Sequence, residues 1–191
     1  MPTAAPFTTR HAPTAMVCSV DHLASEAGVA MLRAGGNAVD AAIAANAVLT
    51  VTAQHMCGLG GDLWALVHRP GDDAPAVLNA SGRAGSGADP DRLRAEGHTA
   101  MPATMDIRAV PVPGCVDGWA ALHERFGRLP MADLLAPARG YAVDGFPPSP
   151  MLRNAIAAIA HLPEAADFTA GGTLLRRPGV ARALAAIAER G

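Results

Sequence analysis

HLASEAGVAMLRAGGNAVDAAIAANAVLTVTAQHMCGLGGD, residues 22–62, is the stretch on which the reading of this chain turns. Leu23, Ala27, Ala30, Met31 and Ala34 recur at helical spacing while Glu26 and Arg33 fall off that stripe, which predicts a helix of about three turns. Gly35 or Gly36 then ends it, because glycine accepts the left-handed conformation in which many helices stop. Asn37 is placed to cap a second helix, with Asp40 three residues on completing a variant of the capping box. From Val39 to Ala53 almost every residue is small and apolar, so this second helix is expected to be buried on most of its faces. A membrane span needs about 20 uninterrupted apolar residues, and this run is shorter and carries Asn46 at its middle.

Working outward, 191 residues allow one substantial domain that buries most of the surface its unfolded chain would expose. With 50% hydrophobic residues, 17% charged and a formal charge of -2, nothing points to disorder, and neither nucleic acid nor an anionic membrane is expected as a partner. Cys18, Cys57 and Cys115 are widely separated and form no CxxC, which fits reduced thiols in the cytoplasm. The start, MPTAAPFTTRHAP, has no apolar core of a secretory signal and reads as an extended arm over residues 1–13.

Further elements follow from local pattern. Ala15–Ser19 reads as a short strand, and Leu63–His68 and Ala76–Asn79 read as strands joined at Gly71-Asp72-Asp73 into a hairpin. Residues 81–106 are rich in Gly, Ala, Asp and Pro and predict irregular structure around a short helix at Pro90–Glu96. Ala109–Gly114 reads as a short strand ending in a Pro-Gly turn that feeds a helix from Val116 to about Phe126, with Trp119, Leu122 and Phe126 on one side. Another helix is expected to begin with Pro130 in its first turn and to stop at Gly145, with a kink at Pro137. Residues 151–160 and 178–190 predict two more helices. Helices before and after strands place the chain in the α/β (α+β) class.

Candidate chemistry is sparse. Gly58-Leu59-Gly60-Gly61-Asp62 lacks the third glycine of a dinucleotide fingerprint and follows a helix rather than a strand, so a tight packed loop is the stronger reading than an anion cradle. His55, Cys57 and His68 show no metal-ligand spacing, and no metal or other cofactor is expected. Cys115 stands at a helix start, where a thiol can be acidified, but a small buried thiol is the simpler reading. Arg83, in Asn79-Ala80-Ser81-Gly82-Arg83-Ala84 at the end of the hairpin, can grip a carboxylate through two parallel N–H donors.

LASEAGVAMLRAGGNAVDAAIAANAVLTVT followed by GLGGDLWALVHR resembles the N-terminal half of the large subunit of the γ-glutamyltransferase family. VPVPGCVDGWAALHERFGRLPMADLLAPARGYAVDGFP resembles that family's Val-Pro-Gly turn and Arg-Phe-Gly-Arg-Leu-Pro joint, and LLRRPGVARALAAIAERG resembles the stretch beyond. The form of GLGGD, of LNASGRA and of the PFTTR start is similar to the amidohydrolase-type, oxamate amidohydrolase-like branch. The resemblance implies an N-terminal-nucleophile hydrolase, an αββα sandwich made as a proenzyme that cuts itself into two subunits. A threonine at the head of the small subunit would attack an amide carbonyl, and water or an amine would resolve the acyl-enzyme.

The carry-over onto these residues is incomplete. The family's Thr-Thr-His-type nucleophile motif has no counterpart here, Thr8-Thr9-Arg10 being only a superficial echo, so no catalytic residue is assigned. The expectation is that residues 1–191 form a single partial domain which depends on a C-terminal, small-subunit segment as partner. The family's carboxylate-binding arginine aligns with Ser81, Arg83 lies two residues later, and the usual proline is Gly85. Ser81 and Arg83 are therefore the candidate substrate-binding residues, for a γ-glutamyl group or a smaller amide acid. The competing expectation is a non-catalytic remnant that pairs with another chain. A bare sheet edge and an exposed apolar face on the 39–53 helix or its neighbours are also expected.

Overall fold

Two helices pack back to back through a glycine joint, and the rest of the chain is built on them. The computed structural model describes residues 9–102, 106–169 and 172–190. α1, His22–Arg33, is capped by the Asp21 carboxylate on the Leu23 amide, and the turn after it carries Gly35 at φ 92. α2, Ala38–Thr52, is capped by the full box, with the Asn37 side chain accepting from Val39 and Asp40 while Asp40 accepts from the Asn37 amide. Eleven of its fifteen residues are buried, as its near-uniform apolarity requires. Gly28 lets α1 approach closely, since an added Cβ would lie 2.8 Å from Val17 Cγ1 and 3.0 Å from the Ala41 carbonyl.

β1, Leu63–Val67, and β2, Ala76–Ala80, form one antiparallel hairpin in which Leu63 faces Ala80 and Val67 faces Ala76. The alternation is clean. Leu63, Ala65, Val67 and Leu78 pack toward the core, while Trp64, Leu66 and Val77 are 63%, 72% and 69% exposed on the other face. α3, Pro90–Ala95, is a short surface helix. α4, Cys115–Phe126, lies behind the hairpin at close range, because Gly118 leaves no room for a Cβ beside Ala80 Cβ and Leu63 Cδ2, 2.9 and 3.0 Å away. α5, Met131–Asp144, packs on α2, and α8, Pro178–Arg190, packs on α5; between them come α6, Pro150–Ile159, and α7, Ala166–Thr169. The core runs through this layer, with Ala44, Val48, Trp119, Leu134 and Leu184 all fully buried.

Asp40 does more than cap its own helix. Its carboxylate is fully buried, with Oδ2 accepting from the Asn37 amide at 2.8 Å and Oδ1 from the Arg128 amide at 3.0 Å. Asn37 Nδ2 donates to the Phe126 carbonyl at 2.6 Å, and Arg128 Nη1 reaches the Gly35 carbonyl. The Gly-Gly-Asn joint and the Arg-Phe-Gly-Arg-Leu joint, about ninety residues apart, are thereby one polar clasp.

Several expectations need correction. Ala15–Ser19 is not a strand: Val17 and Ser19 are half-buried and Met16, Cys18 and Val20 exposed, but the segment pairs with no strand among the described residues. Ala109–Gly114 is not a strand; a 3-10 turn occupies Ile107–Ala109, and only Val112 makes a bridge, to Arg83. Proline caps α5 from outside at position 130 rather than opening its first turn, and Pro137 lies inside the helix without ending it, the carbonyl it leaves free belonging to exposed Asp133. The bare apolar surface is the outer face of the hairpin, whereas α2 is covered. Of the arm at residues 1–13, only 9–13 are described; they are exposed and irregular. No helix among the described residues is long and apolar enough to cross a membrane.

Candidate functional site

Three segments far apart in sequence meet at the end of the hairpin. The first is the glycine loop, where the Gly61 amide closes a turn on the Gly58 carbonyl. The Gly61 carbonyl then accepts from the amides of Gly114 and Cys115 at 3.1 and 3.0 Å. Those are two of the four free donors at the start of α4, and this chain's own backbone occupies them. The second segment is the strand end, Ala80–Arg83, and the third is the turn at 111–115. Val112 N donates to the Arg83 carbonyl at 2.8 Å in an antiparallel bridge.

Glycine is required twice at this corner. Gly82 sits at φ 81, and a Cβ there would stand 1.9 Å from the Val112 carbonyl oxygen. A Cβ on Gly114 would stand 2.1 Å from the Ala80 carbonyl oxygen. Ser81 is half-buried, and its amide donates to Asn79 Oδ1 at 3.1 Å in a local turn. Arg83 is exposed, and its guanidinium has no hydrogen-bond or ion-pair partner among the described residues. The two candidate residues therefore flank one glycine, with the arginine presented to solvent from a pinned backbone.

The excursion between this corner and its return is held by ion pairs. Arg108 binds Asp106 through Nε and Nη2, reaches Glu96 through Nη1, and lies 3.3 Å from His98 Nε2. The Arg108 guanidinium holds the Asp106 carboxyl down at about 2, well under the usual carboxylate range. Behind the corner, Trp119 Nε1 donates to Asn46 Oδ1 at 2.8 Å, which accounts for the one amide in the middle of α2. The Trp119 partnership was not legible in sequence, since nothing local links positions 46 and 119.

Cys115 is a buried thiol rather than an activated one. Burial, with lesser contributions from Cys57 and Asp62, pushes it up to about 11, opposite to the effect of a helix terminus. Cys57 is also raised by burial. His55, Cys57 and His68 do not converge, and no three His, Cys, Asp or Glu side chains among the described residues come together to hold a metal. Thr8 lies outside the described residues.

Comparison with known proteins places this architecture. A γ-glutamyltranspeptidase from Pseudomonas nitroreducens, solved in complex with L-DON, superimposes with a TM-score of 0.82 at 29% identity, covering 95% of this chain and 56% of that one. A cephalosporin acylase from Bacillus halodurans gives 0.79 at 32% identity, covering 98% and 39%. The fold is part of the N-terminal-nucleophile hydrolase sandwich. The profile of the family described as Gamma-glutamyltranspeptidase matches residues 24–191, and the chain belongs to that family.

Two curated relatives define its neighbourhood. The glutathione hydrolase-like YwrD proenzyme of Bacillus subtilis is 46% identical over 134 residues, covering 70% of this chain and 25% of the relative. The oxamate amidohydrolase proenzyme of Klebsiella pneumoniae is 37% identical over 193 positions, covering 92% and 36%. The chain thus spans between a quarter and about a third of the length of these relatives.

Proposed function

We propose that this chain supplies the helix layer, one hairpin and a carboxylate-gripping corner of a proenzyme that cleaves an amide bond through a threonine acyl-enzyme. The threonine lies outside the chain. Residues 1–191 form one contiguous part of a single sandwich domain. The observation that carries the reading is the unpartnered Arg83 guanidinium, held on a pinned strand end in a chain of this family. A planar guanidinium binds a carboxylate through two parallel charge-assisted bonds, which orients an acid substrate as well as holding it. Ser81, two residues back, adds a hydroxyl. The substrate is a small amide acid or a γ-glutamyl compound.

The rest of the sandwich would seat on the outer face of the hairpin. Trp64, Leu66 and Val77 offer an apolar surface there, and the outer edge of β1 has its backbone groups free among the described strands. The segment Ala15–Ser19 already has the alternation of a strand and needs a neighbour to pair with.

The test is to express the full coding frame that contains this chain and assay ammonia release from oxamate and glutamine, and aniline release from a γ-glutamyl anilide. Self-cleavage into two chains and turnover of at least one of these are expected. Arg83→Ala should raise KM by about tenfold to a hundredfold, as loss of a charge-assisted bond worth about 1.5–3 kcal/mol implies, with kcat changed far less. An unprocessed, inactive product would overturn the enzymatic reading, and an unchanged KM would remove Arg83 from the site.

A further inference from the structure

The corner around Arg83 contains more than its side chain. Gly82, Val112 and Gly114 bring two backbone stretches, some thirty residues apart, closer than any side chain would allow. Gly82 at φ 81 turns the strand end toward Val112, the Val112 amide donates to the Arg83 carbonyl at 2.8 Å, and Gly114 meets the Ala80 carbonyl. The Gly61 carbonyl then bolts the same turn to the start of α4 through two further bonds. Arg83 is thus anchored at its own carbonyl while its side chain remains free. An exposed arginine on an ordinary loop loses backbone and side-chain freedom when it binds a ligand. Here the backbone part of that cost has already been met in folding.

We propose that Gly82, Val112 and Gly114 are positioning residues that fix the Arg83 backbone at the point from which its guanidinium reaches a substrate carboxylate. The proposal rests on the reading of Arg83 given above and adds the means by which that residue gains affinity. Among the described glycines the two tightest approaches, at Gly82 and Gly114, are both at this corner, whereas Gly58, Gly60, Gly85 and Gly87 in the flanking loops have nothing within 4 Å of an added Cβ.

Val112→Pro tests the idea, because it deletes the one amide that donates to the Arg83 carbonyl and leaves both glycines in place. Val112→Ala keeps the amide and serves as the conservative control. The full-frame protein that contains this chain, wild type and both variants, is labelled with 15N, and two quantities are read. One is backbone order at Arg83, and the other is the affinity for oxamate and for L-glutamate from the shifts of the Arg83 Nε–H signal.

In the wild type and in Val112→Ala, Arg83 should be as ordered as β2. In Val112→Pro it should loosen, and carboxylate affinity should fall about threefold to tenfold, the size of one backbone hydrogen bond. The β1–β2 amide shifts should be retained. Arg83→Ala should abolish binding. If Arg83→Ala abolishes binding but Val112→Pro leaves affinity unchanged, the positioning role is overturned and the carboxylate reading of Arg83 stands. If neither acid shifts the wild-type Arg83 signal, or if Arg83→Ala leaves binding unchanged, the carboxylate reading fails and the positioning role falls with it. A wild-type Arg83 backbone as mobile as the surrounding loop overturns the positioning role whatever binds. Gly82→Ala should fail more severely than Val112→Pro, since its Cβ would collide with the Val112 carbonyl oxygen.

Discussion

Asp40→Ala should be the most damaging single polar substitution in the helix layer. Its two oxygens accept from two backbone amides that belong to different joints, Asn37 at 2.8 Å and Arg128 at 3.0 Å. Alanine leaves both amides without their acceptor and removes a negative charge from the first turn of α2. An orphaned buried donor costs about 1–3 kcal/mol, and the lost helix-terminus interaction adds about 0.3–1 kcal/mol. Arg128 is exposed, so its amide can turn toward water, which places the total near 2–4 kcal/mol. Against a domain stability of about 5–15 kcal/mol this is a large fraction. Urea unfolding followed by far-UV circular dichroism reads it directly; with a slope of about 2 kcal/mol per molar, the midpoint should fall by roughly 1–2 M. Asp40→Asn should recover part of the loss, because one oxygen remains while the amide nitrogen faces the other donor. A loss below about 1 kcal/mol for Asp40→Ala would refute the clasp, since two amides cannot both lose a buried acceptor so cheaply.

Gly28→Ala should cost about 1–3 kcal/mol by overpacking the α1–α2 contact, and Val17→Ala in the same chain should restore part of it in thermal denaturation. Trp119→Phe removes the indole N–H from Asn46 and should cost about 1–2 kcal/mol. A double-mutant cycle with Asn46→Ala that shows no coupling would contradict the bond. Cys115 is raised to about 11 from an ordinary 9.0, so above pH 9 the unfolded chain releases the thiol proton while the folded chain keeps it. Its contribution to stability should be full below pH 9 and be lost as pH rises toward 11, and Cys115→Ala should flatten that slope in unfolding measured across pH.

The helix pair was legible because every signal in it agreed. The stripe of α1, Gly35 at its end and the Asn37–Asp40 box are local features, and local features fix local structure. The hairpin was legible for the same reason. Ala15–Ser19 and Ala109–Gly114 show the limit of that reasoning, since the first has the alternation of a strand and the second its residue types. Whether either becomes a strand depends on a neighbour at pairing distance, which sequence periodicity does not contain. The site was legible only in outline. Arg83 could be named as a candidate from its place after the second strand, and Ser81 only from its alignment with the arginine of the family it resembles. The crossing that pins Arg83 depends on Gly82 and Gly114 meeting across some thirty residues. Pro113-Gly114 advertised a turn without saying what it would touch.

The alternation of β1 also sorts the chain's tryptophans. There are two, and they stand at opposite extremes, Trp64 at 63% exposed on the outer face of the hairpin and Trp119 at 0% in the core. The molecule therefore carries two optical reporters with separate duties. Trp119 emission follows loss of the interior, and Trp64 emission shifts to the blue when another layer covers the sheet. With Trp64→Phe and Trp119→Phe each isolating one signal, folding of this chain and closure of the sandwich over it can be timed as distinct events in parallel samples.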